Sequence, residues 1–218
     1  MSKIPVYFVP GLAASPLIFE RIVLPDDFFE MHFLEWIIPD KNEAIEKYAK
    51  RMLEQVKHDN PVLIGVSFGG IIVQEMAKWI PVQKLIVISS VKSNTEFPRR
   101  MKWARSTRIY KLLPTKWVSN IELLAKFAFG KTVVHRMDLY KKYLSVRNPV
   151  YLDWALEQII LWKQQSQISG IVHIHGDKDD VFPIKYIANC IVVKGGTHIL
   201  ILNKYKWLNE NLPEIILN

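Results

Sequence analysis

Cysteine is nearly missing from this 218-residue chain, where Cys190 stands alone. A single cysteine permits no internal disulfide, which excludes the small disulfide-stapled scaffolds and fits a reducing compartment. Long apolar runs are missing too. None approaches the ~20 residues that a membrane-spanning helix requires, so no stable membrane insertion is expected. The opening stretch, residues 1–10, has one lysine and a short apolar run cut by Pro5 and Pro10. That makes a poor signal peptide and a good first strand, and cytoplasm is the expected location. Internal repeats and low-complexity linkers are absent, and no nucleic-acid recognition motif accompanies the basic residues. No nucleic-acid partner is expected.

What is present describes a globular chain. Half the residues are hydrophobic and 23% are charged, so there is enough apolar material to bury a core, and one domain is the default for this length. The formal charge of +8 is unevenly spread. Residues 92–168 hold 15 Lys/Arg against 5 Asp/Glu, whereas the remainder holds 14 against 16. A basic segment therefore sits inside a nearly neutral protein. Solvated helix faces explain it most simply; steering of anionic substrates or contact with an anionic lipid surface are the alternatives.

Taken in order, Ile4–Val9 reads as a buried strand, and residues 10–15 as the loop leaving it. Residues 31–37 form a second strand candidate. Pro39 and Asp40 should cap a helix from Lys41 to about Lys57, with Ala44, Ile45, Tyr48, Ala49, Met52, Leu53 and Val56 at helical spacing. Val62–Ile64 is an apolar strand, Ile71–Trp79 a helix ended near Pro81, and residues 83–90 another strand. Continuous apolar strands separated by amphipathic helices indicate a mostly parallel sheet flanked by helices. From Lys92 to Ile168 no strand is convincing, and four helical stretches are punctuated by Pro98, Pro114, Gly130 and Pro149. Aromatics crowd that segment, among them Trp103, Tyr110, Trp117, Phe127, Phe129, Tyr140, Tyr151, Trp154 and Trp162. Most should pack as core, with a few free to line a pocket. Strands return at Ile171–His175 and Cys190–Val193, and a last helix begins near Ile199.

Between the Val62–Ile64 strand and the following helix stands Gly65-Val66-Ser67-Phe68-Gly69. A Gly-x-Ser-x-Gly at a strand-to-helix junction holds its serine on a tight turn that crowds both outer positions, so both want glycine. The helix N-terminus just beyond offers N–H groups and the positive dipole end to a developing negative charge. In an open parallel sheet the partners of such a serine should lie just past the carboxyl ends of other strands. The last strand is followed by Lys194-Gly195-Gly196-Thr197-His198, which delivers a histidine. The strand before it is followed by His175-Gly176-Asp177-Lys178-Asp179-Asp180, which offers three carboxylates. Glu96 is a more distant candidate.

With these pieces the chain resembles the α/β-hydrolase fold superfamily in its single-domain form. The elbow around Ser67, the His-Gly-x-x-Asp stretch and the glycine-rich loop ending in His198 carry the likeness, in the family's order Ser, Asp, His. It spans essentially the whole chain, starting at the family's third strand without the first two. The resemblance implies a core of residues 1–91 and 169–218 and a helical cap of residues 92–168 inserted after the family's sixth strand. It picks Asp179 as the acid, three residues beyond Gly176, over Asp177 and Asp180. It implies Ser67 as nucleophile, His198 as base and Asp179 as the residue that orients it. The oxyanion would be held by the backbone N–H of Phe68 and of Leu12, the latter after Pro10-Gly11, where the family usually has His-Gly. The expected activity is hydrolysis of carboxylic esters through an acyl-enzyme. Thioester or C–C hydrolysis, acyl transfer and a catalytically silent binding protein are the alternatives.

No cofactor and no metal are expected. The partner is a small ester or other acyl substrate, with anionic ones among the candidates, and the oligomeric state is open. His173 and His175 alternate on a strand, and His175 should be structural. His32, His58 and His135 should be surface or helix residues, and Cys190 a small buried hydrophobe.

Overall fold

The computed structural model describes residues 2–107 and 142–218. Six strands form one sheet: β1 (Ile4–Val9), β2 (Phe29–Phe33), β3 (Val62–Val66), β4 (Lys84–Ile88), β5 (Val172–Gly176) and β6 (Ile191–Val193). Their order is β2-β1-β3-β4-β5-β6, and every neighbouring pair is parallel. The central strands are apolar on both faces because helices cover both. All five residues of β3 are buried. The order reverses direction at β1, which places the carboxyl ends of β1 and β3 side by side; that switch point is where open α/β sheets hold their ligands. This is the α/β-hydrolase fold.

The helices are α1 (Ile45–Met52), α2 (Phe68–Met76), α3 (Arg99–Thr107), α4 (Pro149–Leu161), α5 (Leu200–Asn203) and α6 (Tyr205–Leu217). None of the helices among the described residues is long and apolar enough to cross a membrane. Some bounds differ from those expected. The second strand spans Phe29–Phe33 rather than 31–37, because pairing with β1 sets its register, Ile4 opposite Phe29 and Phe8 opposite Phe33. Trp36 has left the strand and donates its Nε1–H to Gly11 O at 3.2 Å. Helix α1 begins at Ile45 and not at Lys41: Asn42 takes a positive φ of 56°, which no helix tolerates. Asp40 does not cap it either. Its carboxylate instead meets Lys47 at 3.1 Å.

Of the expected cap, the described residues include α3, α4 and a 3-10 turn at Asn94–Glu96. Tyr110, Trp117, Phe127, Phe129, His135 and Tyr140 lie outside the described residues. Helix α4 is capped by Asn148, whose side chain accepts from Tyr151 N, with Pro149 in its first turn. It belongs to the packed interior. Trp154 donates to Glu43 O at 2.7 Å and its ring meets Tyr48 at 4.1 Å, while Tyr151 meets Trp36 at 5.3 Å. Trp162, just past the helix, donates to the buried Glu75 carboxylate at 2.7 Å. Burial of Tyr151, Leu152, Trp154 and Ile159 is worth roughly 1.5–3 kcal/mol each, so α4 contributes to the same core as α1 and α2. The basic residues here are partly structural as well. Lys92 is buried against Asn189 O at 3.0 Å and the Ala188 carbonyl, and Arg100 donates to Asp180 O at 2.8 Å and Val181 O at 2.7 Å.

Candidate active site

Ser67 sits between β3 and α2 with φ 53° and ψ −116°, a backbone conformation that L residues rarely adopt. Its surroundings enforce it. Ser67 N donates to Ile88 O at 2.9 Å, while Ser67 O accepts from Gly70 N at 2.9 Å and Ser90 Oγ at 2.7 Å. The flanking glycines are needed for space. A Cβ on Gly65 would lie 2.2 Å from Gly69 O, and one on Gly69 would lie 2.3 Å from Val9 O. Both obstacles are backbone and cannot swing aside. One on Gly70 would meet the Ser90 side chain at 2.5 Å. Gly70 and Ser90 therefore build the turn with the expected residues, although neither stands out in the sequence without its neighbour.

The turn aims Ser67 Oγ at His198 Nε2, 2.9 Å away. His198 follows β6 on a loop whose Gly196 lies against Gly176, where a Cβ on Gly176 would come within 2.2 Å of Gly196 O. The two loops thus touch backbone to backbone, and this brings His198 Nδ1 to 2.9 Å from Asp179 Oδ2. Asp179 Oδ1 accepts from Val181 N at 2.9 Å and Phe182 N at 2.8 Å. Burial raises the Asp179 pKa, but the His198 charge and hydrogen bond, His175 and the Phe182 N–H outweigh it, and the net shift is downward. An ionised Asp179 accepts only, so His198 Nδ1 carries the proton and Nε2 presents its lone pair to the Ser67 hydroxyl. The arrangement can take a proton from Ser67 while its oxygen attacks an electrophile.

The rival carboxylates are occupied elsewhere. Asp177 Oδ1 accepts from Gly195 N at 2.6 Å and so ties the two loops together. Asp180 is exposed. Glu96 is buried, accepting from Lys92 N at 2.7 Å.

Behind the acid lies a buried pair, His173 and His175, of which His175 is expected to be structural. His175 Nε2 stands 2.8 Å from Phe182 O and 3.5 Å from Asp179 Oδ2. A carbonyl can only accept, so Nε2 carries the hydrogen and Nδ1 is an acceptor. His173 Nε2, 3.0 Å from that Nδ1, must then be its donor. Burial holds both imidazoles below the usual histidine pKa and hence neutral. Cys190 is only half-buried, just ahead of β6 rather than inside it, and burial raises its thiol pKa.

Leu12 lies on the loop after β1. Gly11 O accepts from Ala14 N at 3.1 Å and from Trp36, while Ala13 O accepts from Val146 N at 3.0 Å. Phe68 is the first residue of α2, so its N–H has no carbonyl partner within the helix. A cleft over Ser67 and His198 is lined by Leu12, Ala14, Ile18, Leu144, Ile199 and Ile201. Its lining is mostly apolar, with Ser67 and His198 as the polar groups.

No family model matches the sequence, and a search of curated proteins returns no match. Solved structures do match over nearly the full length. An esterase from Exiguobacterium antarcticum superposes with a TM-score of 0.69 at 18% identity, covering 100% of this chain and 93% of that one. A bromoperoxidase from Bacillus anthracis gives 0.70 at 18% identity, covering 99% and 92%. A structure from work on carboxylesterases of the thaumarchaeon Nitrososphaera gargenis gives 0.72 at 16%, covering 99% and 90%. These likenesses establish the α/β-hydrolase fold of the chain.

Proposed function

We propose that this protein is a serine hydrolase that cleaves carboxylic esters through an acyl-enzyme. The observation that carries the reading is the continuous hydrogen-bonded line from Ser67 Oγ through His198 to Asp179, 2.9 Å at each step, beneath an apolar cleft. Ester-cleaving structures of the same fold support it.

The reaction runs in two halves. As Ser67 Oγ bonds to the acyl carbon, its proton passes to His198 Nε2 and the carbonyl π pair moves to oxygen. Asp179 stabilises the imidazolium and fixes its orientation. The oxyanion accepts from the N–H of Phe68, aided by the α2 dipole, and from the N–H of Leu12. Collapse re-forms the carbonyl and expels the alkoxide, which leaves as an alcohol with the His198 proton. Water then gives its proton to His198 Nε2 as it attacks the acyl carbon; collapse breaks the bond to Ser67 Oγ, which takes the His198 proton back, and the acid is released. The apolar lining suits an uncharged acyl chain.

Hydrolysis of p-nitrophenyl esters from acetyl to dodecanoyl tests this, with wild type, Ser67→Ala and His198→Ala compared. Turnover by wild type and a loss of several orders of magnitude in kcat/KM in both variants is the expected result. Labelling of Ser67 by a fluorophosphonate without ester turnover would move the substrate to thioesters or to acyl transfer, tested with added thiols and alcohols. Absence of both turnover and labelling would refute the proposal.

A further inference from the structure

Away from the Ser67 cleft, the sheet edge carries a second cluster of titratable groups. Glu30 and His32 lie two residues apart on the edge strand β2, and so point to the same face. His58 comes from the connector between α1 and β3. His32 Nε2 lies 3.3 Å from Glu30 Oε1, and His58 Nε2 lies 3.9 Å from Glu30 Oε2. One ligand atom from each residue falls within 4.8 Å of the other two. The expectation of a surface or helix residue holds for His58, which is exposed, and needs correcting for His32, a half-buried strand residue facing His58 across 4.9 Å between ring centres.

Two features distinguish this cluster from a chance surface grouping. First, His32 Nε2 is buried and has no hydrogen-bond partner among the described residues, since its approach to Glu30 lacks hydrogen-bond geometry. A buried polar atom without a partner is costly and calls for a ligand. Second, both imidazoles are held by one residue. Tyr7, opposite His32 on β1, stacks its ring on His32 at 4.5 Å with a 17° interplanar angle. Its hydroxyl meets His58 Nδ1 at 2.7 Å. That leaves both Nε2 atoms directed toward Glu30, and a hydrogen-bond partner on the far nitrogen, here the Tyr7 hydroxyl on His58, orients a ligating histidine.

We infer that Glu30, His32 and His58 form a binding site for a divalent d-block cation of the zinc class. Metal–ligand bonds of about 2.0–2.2 Å imply ligand-to-ligand separations of roughly 3.3–3.6 Å in a tetrahedral site; His32 Nε2 to Glu30 Oε1, at 3.3 Å, already meets it, and the remaining donor separations, within 4.8 Å, close by small side-chain rotations. Two imidazole nitrogens and one carboxylate suit zinc, nickel or copper rather than magnesium or calcium, which prefer all-oxygen sets. Water completes the fourth position. The cation ties edge strand β2 to the connector that feeds β3. Tyr7 pairs with Leu63, four residues ahead of Ser67, so the site is separate from the cleft.

Zinc competition against a chromophoric chelator at pH 7.5, using the full chain, tests the proposal. One zinc per chain is expected, with a melting temperature raised by about 5–10 °C at free zinc 100 times Kd. His32→Ala and His58→Ala should weaken binding by roughly 100-fold or more, and the isosteric Tyr7→Phe by about 10–100-fold. His198→Ala should leave it unchanged. In case a ligand variant fails to fold, the imidazole proton resonances of His32 and His58 in wild type should shift on adding one equivalent of zinc. The assignment is overturned if wild type binds no stoichiometric zinc, if binding survives loss of both histidines, or if His198→Ala abolishes it.

Discussion

Lowering the pH from 6.5 to 5.5 should destabilise the fold through the buried His173–His175 pair. Both imidazoles are driven neutral by burial, His173 well below the ordinary histidine value and His175 less far. In the unfolded chain each titrates near 6.5. A folded-state pKa below the unfolded one means that the unfolded chain takes up protons first as pH falls. Their contribution is therefore complete above about pH 6.5 and drains away below it. For His173, the integrated loss between pH 6.5 and 5.5 is about 1 kcal/mol, and His175 adds up to about the same. With a urea slope of ~2.5 kcal/mol per molar, the unfolding midpoint should fall by roughly 0.4–0.8 M. The depressed Asp179 carboxyl acts in a different window, stabilising above the unfolded Asp value near 3.9 and losing its contribution only as pH falls through its lower folded value. Urea titrations followed by circular dichroism at half-unit pH steps from 5 to 8 measure the slope. His173→Gln keeps a side-chain N–H for His175 Nδ1 but cannot titrate, so it should flatten the curve by the His173 share. Equal slopes for wild type and His173→Gln would refute the argument, as would an imidazole titration that puts His173 near 6.5.

Two further outcomes follow from the same geometry. Asp179→Asn removes the carboxylate that pairs with His198 and lets the amide N–H favour the wrong imidazole tautomer, so kcat for an ester substrate should fall by roughly 10³–10⁴-fold with the fold retained in circular dichroism. Gly69→Ala forces a methyl into the β1 carbonyls at 2.3 Å; it should lower stability by more than about 3 kcal/mol, measured as a lower melting temperature, whereas Gly11→Ala, with its nearest contact at 3.5 Å, should be far milder.

Much of this protein was legible in its sequence because local physics decides it. The apolar runs of β1, β3 and β4 read as strands buried on both faces. Gly65 and Gly69 around Ser67 announce a turn that no larger residue survives, and the loops carrying Asp179 and His198 follow strands directly. Helix and strand ends were less legible. The end of β2 was fixed by its register with β1, and the start of α1 by the backbone at Asn42, neither of which leaves a periodic signal. Long-range contacts left no signal at all. Only the fold brings Gly70 under Ser90, seats Gly176 on Gly196, and buries α4 against Tyr48 and Trp36 within a segment that reads as a cap. It also places His58 beside Glu30 and His32 and gives them one tyrosine in common. The reason is physical: a strand or a tight turn is specified by residues a few positions apart, whereas these pairings join residues tens of positions apart, whose meeting depends on how the whole sheet is ordered.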